Sequence, residues 1–117
     1  MDLTLIVLKT QDVHGLAEFY SSLGLSFEKH KHGNGPTHYT VEIGRIVFEI
    51  YPLPDKALKA DDTTRLGFKV ENLNERVQIL ENKGIEIVSK PKMKEWGYTA
   101  VVKDFDGRRI ELTEIEK

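Results

Sequence analysis

The sequence predicts an α+β domain of two tandem β-α-β-β-β units, with half-sheets set around a cleft. Three observations carry that expectation. Residues 5–25, LIVLKTQDVHGLAEFYSSLGL, lie over residues 65–85, RLGFKVENLNERVQILENKGI, in the same order of apolar run, polar cap, helix and glycine. Three strand-like runs follow each helix. A connector rich in Pro, Asp and Lys, PLPDKALKADD at 52–62, separates the two copies. The chain therefore reads as a single domain over 1–117, built of repeats 1–51 and 63–117.

Each element has a local reason. Asp12 and Asn72 stand where N-caps are needed, since their side chains accept from the free N–H groups of a first turn. Val13, Leu16, Phe19, Tyr20 and Leu23 form one helical stripe; Leu73, Val77, Leu80 and Ile79 form the other. Gly24 and Gly84 suit the left-handed residue that ends a helix. The runs LSFEKHK (25–31), THYTVEI (37–43) and RIVFEIY (45–51) are the strands of the first half, and IEIVSKP (85–91), YTAVVKD (98–104) and RRIELTEI (108–115) those of the second. Asp106-Gly107 marks a tight hairpin turn.

Composition narrows the function. An apolar fraction of 39% with 31% charged residues fits a folded soluble domain and not a disordered chain. A net charge of -2 with mixed signs argues against nucleic acid as the partner. No apolar run reaches the roughly 18 residues that span a bilayer, and the start MDLTLIVLKT lacks the basic lead of a signal peptide. A cytoplasmic protein without membrane contact is expected. With no cysteine in the chain, thiolate chemistry is excluded.

One residue does not fit its surroundings. Glu49 stands inside the apolar run RIVFEIY, and Glu111 occupies the equivalent place in RRIELTEI. A carboxylate withdrawn from water needs a partner, a metal or a proton. Either the strands are amphipathic and both acids face solvent, or two acids converge on a site. Their equivalence in the repeat favours a site.

The closing stretch KEWGYTAVVKDFDGRRIELTEIE (94–116) and the helix QDVHGLAEFYSSLGL (11–25) resemble the vicinal oxygen chelate superfamily, which includes glyoxalase I, extradiol dioxygenases and bleomycin resistance proteins. The resemblance covers nearly the whole chain. It implies a metal centre with one ligand from each of four strands, at Leu5, Glu49, Arg65 and Glu111. Leucine offers no lone pair and arginine only donors, so the centre is degenerate and no metal cofactor is expected. Phe105 replaces the proline usual in the family's turn. The guanidinium of Arg65 has three readings: a structural pair with Glu49 or Glu111, a clamp for an anionic ligand, or a solvated strand-edge residue.

Trp96 and Tyr98 flank Gly97 where the family's pocket loops lie, so they stand as candidate walls of the pocket or as caps of the core edge. His30 and His32 share one face of a strand, yet Lys29 and Lys31 interleave with them and no nearby acid completes a donor set, so a solvated hairpin is expected. His14 reads as a surface residue and His38 carries no signal. Small-molecule binding of the glyoxalase and bleomycin-resistance type at Arg65, Glu49, Glu111, Trp96 and Tyr98 is the leading expectation, in a homodimer whose cleft lies within one chain or is shared between chains. A metal-dependent lyase, isomerase or dioxygenase of the same fold, and a structural protein with a closed cleft, are the alternatives.

Overall fold

The computed structural model describes residues 1–116; Lys117, the end of the second repeat, lies outside them. The first half comprises β1 (Leu5–Thr10), α1 (Val13–Ser21), β2 (Glu28–His30), β3 (His38–Ile43) and β4 (Ile46–Pro52). The second comprises β5 (Leu66–Val70), α2 (Leu73–Asn82), β6 (Ile87–Lys94), β7 (Gly97–Lys103) and β8 (Arg109–Glu114). Each half makes its own four-stranded mixed sheet, ordered β1-β4-β3-β2 and β5-β8-β7-β6. β1 runs parallel to β4 and β5 parallel to β8; the other pairs are antiparallel. The edge strands β1 and β5 are not hydrogen-bonded to each other.

Local sequence explains most boundaries. Asp12 caps α1, its Oδ1 accepting from the Gly15 N–H at 3.0 Å. Asn72 behaves otherwise. Its backbone is left-handed at φ 54°, which Asn tolerates, and its side chain makes no cap bond. The Glu114 carboxylate of β8 accepts from Leu73 N–H instead, at 3.2 Å. Gly24 and Gly84, at φ 111° and 84°, end the two helices as expected.

Two elements depart from the sequence pattern. Ile79 is exposed, because about 100° of helix per residue carries it off the Leu73, Val77, Leu80 stripe. The expected strand 85–91 runs instead over Ile87–Lys94 and contains Pro91. Its ladder with β7 shifts register between Ile87 and Ser89 and again between Ser89 and Lys92. β6 is an edge strand, and a missing N–H is tolerated at an irregularity there.

The two halves share one core through their helix-covered faces. α1 packs on β1, β3 and β4, and α2 on β6, β7 and β8. The buried ring of Tyr20 on α1 meets Phe48 of its own half at 5.1 Å and Phe68 of the other at 5.9 Å. Each such buried side chain contributes about 1.5–3 kcal/mol.

A polar clamp crosses the same boundary. Arg108, 1% exposed, donates from Nη1 to Asp104 at 3.1 Å and Asp106 at 2.9 Å, and from Nη2 to the Lys9 carbonyl of β1 at 3.1 Å. Thr10 of β1 donates to Asp106 at 3.1 Å, and Tyr20 of α1 to Asp104 at 2.7 Å. Burial, with the Asp104 carboxylate beside it, pushes the Tyr20 phenol far above its ordinary value, so it remains a donor. Burial alone would lower Arg108, but the Asp104 and Asp106 carboxylates more than offset it and hold the guanidinium charged. Its Nε is buried without a hydrogen bond among the described residues, 3.8 Å from Asp61.

Removing one partner leaves buried carboxylates uncompensated. Arg108→Met should therefore cost about 3–5 kcal/mol in urea unfolding. The exposed neighbour provides the control: Arg109→Met should change stability by less than about 0.5 kcal/mol. Equal losses from the two would show that Arg108 clamps nothing.

Candidate functional site

Strand alternation gives each sheet a helix-covered face and an open one. On β1 the residues Ile6, Leu8 and Thr10 point to the core, and Leu5, Val7 and Lys9 to the open face. Leu5 is 50% exposed and Val7 39%, so both stay open to solvent among the described residues. On β4 the core takes Phe48 and Ile50, while Val47, Glu49 and Tyr51 stand on the open face. In the second half Arg65, Gly67 and Lys69 precede and line β5, and Arg109, Glu111 and Thr113 line β8, on the same kind of face.

Glu49 and Glu111 thus occupy matching positions, both half-buried. Val7, Glu49, Thr40 and Glu28 form one cross-strand row. In the other sheet Glu111 sits beside Gly67, where a β-carbon would lie 3.7 Å from its Oε2. The carboxylate leans over the glycine, which leaves it room. Arg65 is exposed, and among the described residues it forms no ion pair with either acid. Glu49 likewise has no side-chain hydrogen bond among the described residues.

A four-ligand metal centre does not fit these strands. The open faces at β1 and β5 carry Leu5, Val7, Lys9, Arg65, Gly67 and Lys69. None is a carboxylate, imidazole or thiolate, so neither strand supplies a cation donor. Two carboxylates from β4 and β8 remain, with Arg65 and Lys69 beside the second.

Trp96 and Tyr98 part company. Trp96 stands in the β6–β7 hairpin, 59% exposed, with Lys94 Nζ 5.7 Å from its ring centroid. Tyr98 alternates with Ala100 and Val102 toward the helix, and its hydroxyl donates to Asn74 Oδ1 at 2.7 Å. It therefore packs on the covered side of the sheet and does not wall the open face.

The open faces differ in charge. The first sheet presents Glu28, Glu42 and Glu49 with Lys9; the second presents Arg65, Lys69, Lys92, Lys103 and Arg109 around Glu111. Period-two reading of the eight strands finds this split once the strand faces are assigned. A groove of about 380 Å³ on the first sheet is lined by Ser26, Glu28, Thr40, Glu42 and Val47.

Among solved structures, a glyoxalase/bleomycin resistance protein/dioxygenase family enzyme from Burkholderia phytofirmans superposes with TM-score 0.74 at 16% identity, covering 99% of this chain and 100% of that one. An antibiotic-binding protein from a Streptomyces species gives 0.72 at 18%, covering 99% and 97%. An integron cassette protein from V. cholerae gives 0.70 at 22%, covering 99% and 96%. At these identities the likeness establishes the fold. A search of curated proteins returned no match. The profile of one family matches residues 3–112, nearly the full length, and the chain belongs to the Glyoxalase/Bleomycin resistance protein/Dioxygenase superfamily.

Proposed function

We propose that the protein binds a small anionic organic molecule, without a catalytic metal, in a cleft between an N-terminal and a C-terminal open face. The observation that carries this reading is the charge split: an acidic face with Glu28, Glu42 and Glu49, and a basic face with Arg65 and Lys69. In the cleft Arg65, without an ion pair among the described residues, clamps the ligand's anionic group by forked hydrogen bonds. Glu49 and Glu111 accept from its hydroxyl or amine groups, and Trp96 offers an aromatic plane for stacking. Tyr98 holds the β6–β7 hairpin from behind through Asn74. The antibiotic-binding protein with the same fold supports a binding role for this scaffold. A metal-dependent lyase, isomerase or dioxygenase would need donors that β1 and β5 do not carry.

The two faces come together in a homodimer with two-fold symmetry. Two features support this: β1 and β5 are unpaired sheet edges, and Leu3, Leu5 and Val7 are exposed beside one of them. Among the described residues no helix is long and apolar enough to cross a membrane.

Light scattering at micromolar concentration should give about 27 kDa, twice the chain's 13.4 kDa. A persistent 13.4 kDa species would refute the dimer. A thermal-shift screen of organic carboxylates, phosphates and sulfonates should yield a stabilising ligand. At a hundred times its dissociation constant the gain is about 2.7 kcal/mol, and Arg65→Met should remove most of it. Stabilisation that survives Arg65→Met unchanged would sink the anion clamp.

A further inference from the structure

We infer that His30, His32 and His38 form a binding site for a late first-row divalent cation such as Zn²⁺ or Ni²⁺, separate from the degenerate centre at Leu5, Glu49, Arg65 and Glu111. The sequence argues for a solvated hairpin because no nearby acid completes a donor set with His30 and His32. Folding supplies a third donor. His38 lies directly across the β2–β3 ladder from His30, on the same open face. The turn Gly33-Asn34-Gly35-Pro36, closed by Gly35 N–H donating to the His32 carbonyl at 2.8 Å, brings His32 back over both.

The three rings make a nearly equilateral triangle, with centroids 5.7, 5.6 and 5.6 Å apart. One nitrogen from each ring lies within 4.8 Å of the others. Imidazoles sharing an ion at about 2.0–2.1 Å place their nitrogens roughly 3.4 Å apart, so the three nitrogens need to draw together by about 1.4 Å at most. His32, exposed in the turn, is the one with most room to move.

The groups that hold His30 and His38 are those expected around a metal-bound histidine. His38 is only 4% exposed although it stands on an open face. Tyr51 stacks flat against it, at 4.2 Å and 7°. Its Nδ1 faces the Pro36 carbonyl at 3.4 Å, which leaves Nε2 with its lone pair. The Glu28 carboxylate lies 3.1 Å from His30 Nε2 and leaves Nδ1 for the ion. A carboxylate or carbonyl on the far nitrogen fixes ring orientation and raises ligand basicity. Neutral imidazole suits zinc, nickel and copper, and hard cations such as Mg²⁺ prefer oxygen. Three protein ligands leave a fourth position open, on the sheet face that also carries Glu49.

The test uses untagged, chelator-treated protein, titrated calorimetrically with Zn²⁺ and by absorption with Co²⁺. One ion per chain with micromolar or tighter affinity, and a tetrahedral Co²⁺ spectrum, are expected. His32→Ala, at an exposed loop position, should weaken binding at least tenfold without unfolding the chain. Glu28→Gln should weaken it by about 10–100-fold. Glu49→Gln and Glu111→Gln should leave it unchanged. The site is overturned by the absence of saturable binding, by full affinity in His32→Ala, or by binding that depends on Glu49 and Glu111.

Discussion

The buried guanidinium of Arg108 sets how the two halves meet. It reaches from the β7–β8 turn of one half to the Lys9 carbonyl on β1 of the other, with Asp104 and Asp106 satisfying its charge. Tyr20 and Thr10 add donors from the first half to the same carboxylates. Such a network tolerates little displacement, because any gap leaves a charge unpaired in a dry place. Together with the Tyr20, Phe48 and Phe68 ring contacts, it joins the halves through their helix-covered faces. The open faces are left over.

What is left over has a pattern. One open face is acidic and carries exposed leucine and valine at its β1 edge; the other is basic around a single glutamate. Faces of opposite sign attract when brought together and repel their own kind, which gives an assembly its orientation. An N-terminal face meeting a C-terminal face satisfies both charge and edge. A ligand held between them would meet arginine on one wall and carboxylate on the other, a setting for a molecule with an anionic group and hydrogen-bond donors.

Much of the fold was legible in the chain. The repeated order of cap, helix and glycine, read over LIVLKTQDVHGLAEFYSSLGL and its second copy, with three strand runs after each, predicts all ten elements in order. Local rules failed where tertiary context took over. Asn72 looks like a cap but sits in a left-handed turn, and Glu114 from forty residues away takes its place. Pro91 reads as a strand end, yet an irregular edge strand absorbs it. Of the candidate site residues, Glu49 and Glu111 stand out as acids in apolar strands, and folding puts them on equivalent open positions. Arg108 and His38 were not legible. DFDGR reads as a hairpin turn until β1 is docked beside it, and a lone histidine gains meaning only from the strand opposite. Tyr98 points the wrong way for the pocket because alternation pairs it with Ala100.

The central claim is that a complete cleft needs two chains, with the β1 edge of one beside the β5 edge of the other. The chain has no cysteine, so introduced thiols report contacts without background. Protein carrying Leu5→Cys is mixed with protein carrying Arg65→Cys, equilibrated, and treated with a short bis-thiol crosslinker. A covalent dimer joining the two different chains is predicted on a denaturing gel. If the mixed chains stay monomeric, while a single chain carrying both substitutions closes a crosslink within itself, the cleft lies inside one chain and the account is contradicted.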